Sequence, residues 1–210
     1  MSQDPILVVG AGGHARACID VIESDGRFVV VGVIGLAGEV GGTVLGYPVI
    51  GTDADLGDLR RVCPRAILAI GQIKSPLERI RLAGALEREQ FKTPAIVSSS
   101  AHVSRHAVVG AGSIVMHGAV VNASATVGRH CILNSQSLVE HDVTVADHCH
   151  VSTGARINSG VTIGAGTFVG SGTVVRQLVR IGEGCVIGMG QRVLTDCAAG
   201  SWLPTRKGAL

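Results

Sequence analysis

The sequence predicts an α/β subdomain at the N-terminus, followed by a parallel β-helix built from six-residue repeats. An aliphatic residue falls at every sixth position from Val97 to Val193, 17 times in a row without an insertion. Aromatic side chains make up only 2% of the 210 residues, although 46% of the residues are hydrophobic. Ahead of the repeat, a strand, a glycine-rich turn and a helix follow one another, as in parallel α/β units.

Each repeat has two positions that are expected to face inward. Four residues after each aliphatic residue stands a small or β-branched side chain, and Gln191 is the exception. A period of six with two such positions is typical of a hexapeptide β-helix, in which three repeats complete one coil. With about 4.8 Å between stacked strands, about 5.7 coils predict a prism roughly 27 Å tall. Such a narrow core explains why aromatic rings are scarce.

Residues one coil apart are expected to lie above one another. Cys131, Cys149 and Cys185 share one interior column, so we interpret them as buried packing residues rather than as metal ligands or nucleophiles. His130 and His148 are predicted as solvated corner residues, with a metal-binding pair as the alternative. Gly or Asn recurs one residue after the aliphatic position, and these types suit the backbone angles of a tight corner.

The region before the repeat carries the pattern of a parallel α/β unit. Residues 5–10 are predicted to form a buried strand, which a Gly-Ala-Gly-Gly-His turn follows. A helix is expected near residues 14–24, a second strand at Phe28–Ile34 and another strand at Ala66–Ile70. A further helix is predicted at Pro76–Arg88.

This last helix has the pattern of an amphipathic helix. It is apolar at Leu77, Ile80 and Ala83, and it is charged at Arg79 and its neighbours. Such spacing places the apolar residues on one face.

The glycine turn can present backbone N–H groups to a phosphate at the start of a helix. A plain packing turn is the alternative interpretation. An NAD site would carry Asp or Glu at the end of the second strand to hold the ribose. Gly35 and Leu36 stand there instead, so an NAD site is not expected.

Composition and charge exclude several function classes. The net charge of +2 and the lack of a basic run give no indication of nucleic-acid binding. The longest apolar stretch, Phe28 to Leu36, is too short to span a bilayer, and no secretory signal is visible. Six cysteines without a C-x-x-C pair favour a reduced, cytoplasmic protein without a metal site.

Three motifs together narrow the family. The glycine turn contains His14, a Gly-Tyr-Pro-Val-Ile-Gly stretch occupies 46–51, and Glu140-His141-Asp142 lies inside the repeat. In these motifs the sequence resembles bacterial sugar acetyltransferases of the sialic acid O-acetyltransferase-like family, which includes bacillosamine and perosamine N-acetyltransferases. The resemblance runs along nearly the whole chain. It implies a Rossmann-like first part, a left-handed coil, a homotrimer and acetyl-CoA as the donor.

The resemblance also assigns roles to catalytic residues. His141 matches the general base, and Asp142 matches the acid that orients it, although Glu140 is an alternative orienting group. The residues one coil away from His141 are Ala123 and Ser159, whose small side chains leave room for a substrate beside the ring. A histidine is suited to take a proton from an attacking amine or hydroxyl.

Donor and acceptor contacts follow from the same resemblance. His150 matches a residue that contacts the acetyl donor, and the backbone N–H of Ser159 matches an oxyanion donor. Ser171 and Met189 match positions along the pantetheine groove. The residues that match nucleotide-sugar contacts are Gly12, Gly13, His14 and Gly71. No metal is implied, and residues 201–205 do not match the Gly-x-Pro-Ala-Lys ending that is common near the adenine of CoA.

The sequence therefore predicts a nucleotide-sugar-binding domain over 1–92, an acyltransferase β-helix over 93–198 and a C-terminal tail over 199–210. The expected activity is acetyl-CoA-dependent N-acetylation (EC 2.3.1 class) of a nucleotide-linked amino sugar in glycan biosynthesis. O-acetylation of a sialic-acid-like sugar is the alternative within the same class. A non-catalytic solenoid, serving as a scaffold or a sugar-binding protein, is the alternative outside it.

Overall fold

The computed structural model describes residues 3–205. Contacts divide the chain into two compact units. The first unit runs to Gly71 and includes Leu77–Ser99, and the second combines Gln72–Pro76 with the chain from Ser100 onward. Residues 206–210 of the predicted C-terminal tail and the first two residues of the predicted N-terminal domain lie outside the described residues.

The first unit is built on a five-stranded sheet with the order β3-β4-β2-β1-β5. Its pairs are parallel except β3 with β4, which is antiparallel. The elements are β1 (Asp4–Val9), α1 (Gly13–Asp25), β2 (Phe28–Ile34), β3 (Thr43–Val44), β4 (Tyr47–Gly51), α2 (Leu56–Val62), β5 (Ala66–Leu68), α3 (Leu77–Arg88) and β6 (Ile96–Val97), with short 3₁₀ turns at Ala37–Glu39 and Asp53–Asp55.

The predicted α/β order is confirmed. The interior strand β1, between β2 and β5, is buried from Ile6 to Val9, as expected for a parallel strand that is covered on both faces. Gly26 caps the C-terminus of helix α1, and its φ of 74° is the left-handed conformation that glycine adopts readily after a helix. No helix within residues 3–205 has the length and apolar character needed to cross a membrane.

Helix α3 faces the core differently from the expected pattern. Leu77 and Ile80 are exposed, whereas Arg79 is 1% exposed and Leu82 and Leu86 are buried. The guanidinium of Arg79 donates a 2.6 Å hydrogen bond from Nη1 to the carbonyl of Ile70. The prediction of an apolar face through Leu77 and Ile80 is therefore wrong, because the helix buries an arginine that binds the backbone beyond β5.

The second unit consists of two-residue strands that recur every six residues, as predicted. They are β7 (His102–Val103), β8 (Val108–Val109), β9 (Ile114–Val115), β10 (Val120–Val121), β11 (Thr126–Val127), β12 (Ile132–Leu133), β13 (Leu138–Val139), β14 (Thr144–Val145), β15 (His150–Val151), β16 (Arg156–Ile157), β17 (Thr162–Ile163), β18 (Phe168–Val169), β19 (Val174–Val175), β20 (Arg180–Ile181), β21 (Val186–Ile187), β22 (Arg192–Val193) and β23 (Trp202–Leu203).

These strands form three parallel sheets. The first has the order β22-β19-β16-β13-β10-β7, the second β20-β17-β14-β11-β8, and the third includes β23-β21-β18-β15-β12-β9. Residues 18 apart are partners, as in the pairing of Val121 with Val139. This architecture confirms the predicted left-handed parallel β-helix of hexapeptide repeats.

The small interior residues hydrogen-bond to the coil that follows them. Ser113 Oγ donates to the carbonyl of Gly128 at 2.7 Å, and Thr167 Oγ1 donates to that of Gly182 at 2.9 Å. Cys131 and Cys149 direct their thiols in the same way. These two cysteines are at most 1% exposed and Cys185 is 0% exposed, so their predicted burial in one column is confirmed.

Close packing between coils explains the glycines at the corners, whereas the sequence predicts that unusual backbone angles require them. A Cβ on Gly110 would lie 2.5 Å from the carbonyl oxygen of Gly128, and one on Gly170 would lie 2.6 Å from the backbone of Gly188. Close approach of stacked coils therefore excludes a side chain there. The positive φ angles fall two residues later, as at Asp142 with 61°. The prediction that the Gly or Asn position takes the unusual backbone angles is therefore wrong, because these angles occur two residues later in the repeat.

His130 and His148 form a stacked pair. Their ring centroids lie 5.4 Å apart and the ring planes differ by 7°. His130 is only 4% exposed, so its prediction as a solvated residue is wrong. Its ring lies over Gly112, which leaves the space that a side chain would fill. Within residues 3–205, no group of three or more His, Cys, Asp or Glu residues is arranged to hold a metal ion.

Candidate active site

A chain of two side-chain hydrogen bonds runs through the corner between β13 and β14. His141 Nδ1 lies 2.7 Å from Asp142 Oδ2, and His141 Nε2 lies 2.8 Å from Ser159 Oγ. Asp142 has a φ of 61°, and aspartate is among the residue types that most readily adopt this conformation. The structure therefore brings together three of the residues that the sequence singled out.

The geometry fixes the tautomer of His141. An ionised carboxylate only accepts hydrogen bonds, so Nδ1 carries the proton and donates it to Asp142. Nε2 is then the acceptor for the Ser159 hydroxyl. Glu140 accepts bonds from Asn122 Nδ2 at 3.0 Å and from the backbone N–H of His141 at 3.2 Å. Of the two carboxylates considered from the sequence, Asp142 is therefore the one that contacts the ring.

The environment of His141 leaves it accessible. The His141 side chain is 56% exposed and that of Asp142 is 64% exposed. A histidine with one nitrogen held by a carboxylate and the other directed toward an O–H or N–H group can act as a general base. A substrate amine that replaces the Ser159 hydroxyl would meet the nitrogen lone pair.

His150 lies in a different environment, on the outer face of the third sheet. Its Nδ1 lies 2.6 Å from the carbonyl oxygen of Gln72 and therefore donates a proton to it. Its Nε2 then accepts the 3.2 Å hydrogen bond from Asn134 Nδ2. Phe168 packs against the ring edge-on, with 5.2 Å between centroids. Two hydrogen bonds and an aromatic contact thus hold this buried imidazole in one orientation.

His150 lines a cavity of about 500 Å³ together with Ser171 and Met189. Ser171 Oγ lies 2.9 Å from Ser152 Oγ, and the Met189 side chain is largely exposed. Hydroxyl groups beside apolar walls suit a chain of methylene and amide groups, which is the chemistry of pantetheine. The exposed Lys74 stands at the same cavity and can approach a phosphate.

The C-terminal segment forms one wall of this cavity, which the sequence did not predict. Strand β23 pairs with β21, and Trp202 to Thr205 line the cavity. Gln191 Nε2 donates a 2.9 Å hydrogen bond to the carbonyl of Pro204. Gln191 is the exception among the small interior residues of the repeat. This polar residue is the signal in the sequence that the following segment covers the last coil.

The two groups of residues lie on different parts of the β-helix. His141, Asp142 and Ser159 occupy the corner between the first and second sheets. His150 stands on the third sheet, and Ser171 and Met189 lie where that sheet turns toward the first. Within one chain, the predicted base and the predicted donor contacts are therefore separate.

The glycine turn of the first unit is open at the start of α1. A Cβ on Gly12 or Gly13 would meet nothing within 4 Å, whereas one on Gly10 would strike the backbone of Ala69. Gly71 lies next to His14, since its Cβ would be 3.9 Å from that of His14. The structure therefore brings Gly71 to the glycine turn, as expected for one binding site.

Burial, and to a lesser extent the positive charge of Arg79, together lower the pKa of His14 to about 4. The imidazole is therefore neutral at physiological pH. The sequence does not predict the burial of Arg79, because its position in the helix is typical of a solvent-facing residue. It places a positive charge close to the glycine turn.

A carboxylate reaches the end of β2 although Gly35 and Leu36 are not acidic. Glu39 Oε2 accepts a 2.7 Å hydrogen bond from the backbone N–H of Leu36. A side chain on Gly35 would meet that oxygen at 2.8 Å and the Cβ of Ala11 at 3.1 Å. Glu39 thus occupies the space that a strand-end acid would take beside the glycine turn, and only the capping geometry of the 3₁₀ turn reveals it.

Comparisons with known proteins agree with this architecture. Residues 5–79 match the PglD N-terminal domain family. The acetyltransferase domain of PglB from Neisseria gonorrhoeae, solved with acetyl coenzyme A, is 28% identical over 97% of both chains with a TM-score of 0.89. PerB from Caulobacter crescentus, solved with CoA and GDP-perosamine, is 29% identical over 97% of this chain and 95% of that one, with a TM-score of 0.90.

WeeI from Acinetobacter baumannii is 24% identical over 96% of both chains with a TM-score of 0.81, which supports the fold. No curated protein sequence matches the chain. The predicted resemblance to the sugar acetyltransferases of the hexapeptide-repeat class is confirmed, as is the predicted enzyme class, an acetyltransferase.

Proposed function

We propose that the protein transfers the acetyl group of acetyl-CoA to the amino group of a nucleotide-linked amino sugar. The observation that carries the proposal is the His141 ring, which Asp142 holds at 2.7 Å so that Nε2 points toward a hydrogen-bond donor at an exposed corner. The cavity beside His150 supports the donor, since it combines polar groups with an apolar wall. Acetyl-CoA and CoA are bound by the PglB and PerB relatives.

The reaction follows from the proton positions. The acceptor amine replaces the Ser159 hydroxyl at Nε2 of His141 and attacks the thioester carbonyl. His141 takes the amine proton, the C–N bond forms and the C–S bond breaks; the imidazolium of His141 then returns that proton to the thiolate, so that CoA leaves as the thiol. The backbone N–H of Ser159 stabilises the oxyanion of the tetrahedral intermediate. Asp142 stabilises the imidazolium that exists between these steps.

A homotrimer would complete the site. The base and the donor cavity lie on different edges of one β-helix, so a complete site requires His141 from one copy and His150 with its cavity from the next. A cyclic trimer repeats this contact three times and leaves no edge unpaired. Each of the three sites would then lie between neighbouring copies.

The acceptor is assigned to the first unit. Gly12 and Gly13 leave the N-terminus of α1 open, where backbone N–H groups favour a phosphate. His14 and Gly71 flank the same turn. PerB is solved with a nucleotide-linked amino sugar, GDP-perosamine, which supports the same class of acceptor here. A place in glycan biosynthesis and in the cytoplasm stays a prediction.

Activity assays with a panel of acceptor sugars test this proposal directly. The purified protein is given acetyl-CoA with nucleotide-linked 4-amino sugars, and separately with free sialic-acid-like sugars, while thiol release is followed. N-acetylation of a nucleotide-linked sugar supports the proposal, and product from free sugars alone favours the O-acetyltransferase alternative. If acetyl-CoA does not bind in calorimetry, the non-catalytic solenoid is favoured instead.

A further inference from the structure

We propose that Ser159 accepts the acetyl group covalently, so that the protein has a second transfer route through an acetyl-serine ester. The inference rests on the proposed function for its donor, acetyl-CoA. The observation behind it is a row of hydrogen-bonded side chains, Ser159, His141 and Asp142. Ser159 Oγ lies 2.8 Å from Nε2 of His141, and Nδ1 of His141 lies 2.7 Å from Asp142 Oδ2.

The direction of both hydrogen bonds points to an activated hydroxyl. In the neutral imidazole, Nδ1–H donates to the carboxylate of Asp142, Nε2 has only its lone pair to offer, and the Ser159 hydroxyl is the donor. A nucleophile whose proton is directed at a base, with that base oriented by a third group, is the arrangement used in nucleophilic catalysis. The same roles define the serine, histidine and aspartate triads of unrelated hydrolases.

The backbone holds the serine in this place. Strands β13 and β16 pair in register, which stacks the corner that carries His141 on the corner that carries Ser159. The N–H of Gly160 donates a 3.1 Å hydrogen bond to the carbonyl of His141, joining the two corners directly. On the other side, Asn158 Nδ2 donates at 2.6 Å to the carbonyl of Val175. The serine therefore lies between two anchored residues.

The hydroxyl is also within reach of a substrate. Ser159 is partly exposed, and the side chains of His141 and Asp142 are each more than half exposed. An acetyl-CoA thioester that comes close enough for an amine held by His141 also comes close to the hydroxyl that occupies the same nitrogen. In the absence of acceptor, Ser159 is therefore the nearest nucleophile to the thioester.

The two steps balance without any further reactant. In the first, Ser159 Oγ attacks the thioester carbonyl while His141 Nε2 takes the hydroxyl proton; the C–S bond then breaks and the thiolate receives that proton as it leaves as CoA. In the second, an amine attacks the ester carbonyl, His141 takes the amine proton, and the proton returns to Ser159 Oγ when the C–O bond breaks. Water in place of the amine gives acetate and regenerated enzyme.

The first step is reversible, which provides a test that needs no sugar. The full-length protein is incubated with acetyl-CoA and isotopically labelled CoA, and the label that enters acetyl-CoA is measured. In parallel, the acid-quenched protein is digested and the peptide that contains Ser159 is examined by mass spectrometry for one added acetyl group. A direct transfer between donor and sugar gives neither signal when no sugar is present.

We expect exchange of label and acetylation at Ser159 in the native sequence, and we expect Ser159→Ala to lower the exchange rate by about 100-fold or more. Ser124→Ala is the matched control, since Ser124 is an exposed serine on the same edge, one coil before Asp142, and it should leave the exchange unchanged. Circular dichroism of both variants confirms that they fold.

If the native protein acetylates a nucleotide-linked sugar but exchanges no label and carries no acetyl-serine, the covalent route is wrong and the proposed function stands. If exchange persists in Ser159→Ala, another group accepts the acetyl, and the assignment to Ser159 is overturned. If label exchanges and Ser159 is acetylated but no nucleotide-linked sugar is a substrate, the covalent route stands and the proposed acceptor is wrong.

Discussion

The carbonyl of Gln72 lies 2.6 Å from Nδ1 of His150, although the two residues are 78 positions apart in the sequence. Gln72 is 2% exposed, and its side-chain Nε2 donates a 3.1 Å hydrogen bond to the carbonyl of Gly166. The segment Gln72–Pro76, which belongs to the second unit, thus fixes the proton of His150 on Nδ1 and leaves Nε2 as the acceptor of the hydrogen bond from Asn134.

This relationship predicts the outcome of replacing His150. In His150→Phe the ring shape is kept, but the hydrogen bonds to Gln72 and Asn134 are lost. We expect the dissociation constant of acetyl-CoA, measured by calorimetry, to rise about tenfold, which corresponds to one strong hydrogen bond. Thr144→Ala, an exposed change on a different sheet, is the control and should leave the constant unchanged. An unaltered affinity in His150→Phe would contradict the role in donor binding.

Replacing the proposed base should affect turnover and leave donor affinity intact. His141→Ala removes the group that accepts the amine proton, so kcat should fall by about 10²–10⁴-fold. The dissociation constant of acetyl-CoA should stay within about twofold, because the residues assigned to donor binding, His150, Ser171 and Met189, are unchanged. His102→Ala, an exposed histidine outside the site, is the control.

The substitution Asp142→Asn should lower kcat less than His141→Ala does. An amide accepts a hydrogen bond from Nδ1–H less strongly than a carboxylate, and it stabilises the imidazolium less. We expect a fall in kcat between the native value and that of His141→Ala, with unchanged acetyl-CoA affinity. Glu140→Gln should have a smaller effect, since Glu140 contacts Asn122 and the backbone rather than the ring. A larger loss in Glu140→Gln than in Asp142→Asn would reverse the assignment.

Much of the second unit could be predicted because its core repeats. The six-residue period fixes which residues face inward, and so it placed Cys131 and Cys149 correctly. The same period predicts that Ser159 is stacked on His141. It could not show that the side-chain hydroxyl of Ser159 reaches Nε2, because a spacing of 18 residues fixes the backbone neighbour and leaves the side-chain rotamer open.

The first unit was less predictable, because its contacts depend on tertiary packing. Arg79 occupies a helical position that is typical of a solvent-facing residue. It is nevertheless buried, because the backbone carbonyl of Ile70 accepts its hydrogen bond. Glu39 fills the end of β2 from a turn whose geometry no spacing rule encodes. Similarly, the wall formed by Trp202 to Thr205 depends on a strand pairing beyond the last regular repeat.

His14 should make the stability of the protein depend on pH. Burial holds its folded-state pKa at about 4, below the ordinary value of 6.5, so the unfolded chain binds a proton more readily. The contribution of neutral His14 is therefore fully present above pH 6.5 and is lost as the pH falls toward 4, by as much as about 3 kcal/mol. Urea unfolding at both pH values measures it. His14→Gln should lose less stability over this interval, and an equal loss in both proteins would contradict the assignment.

The buried cysteines should matter for stability rather than for chemistry. A hydrogen bond with the neighbouring Cys131 thiol, together with burial, raises the pKa of Cys149, which keeps it a neutral thiol. Cys149→Ala should lower the free energy of unfolding by about 1 kcal/mol, as expected for a small cavity, with unchanged kcat. Cys131→Ala should behave alike. A folded Cys149→Ala variant without activity would show that the thiol takes part in the reaction.

Mixing two variants that are impaired in different ways tests where the complete site lies. His141→Ala lacks the base but keeps the donor cavity, whereas His150→Ala keeps the base and has an impaired cavity. When the two are unfolded together and refolded as a mixed cyclic trimer, a site that joins His141 of one copy to His150 of the next is restored. Random assembly of equal amounts restores about a quarter of the sites.

The activity of the mixture should therefore reach about a quarter of the native value at acetyl-CoA concentrations far below the KM of the His150 variant. A mixture of either variant with the double variant His141→Ala/His150→Ala is the control. Such a mixture lacks either every His141 or every His150, so no interface can contain both histidines. Recovery in the first mixture alone assigns the two histidines of one site to different copies. Activity no higher than the sum of the separate variants would place both residues of a site in one chain, against the separation of their edges in the β-helix.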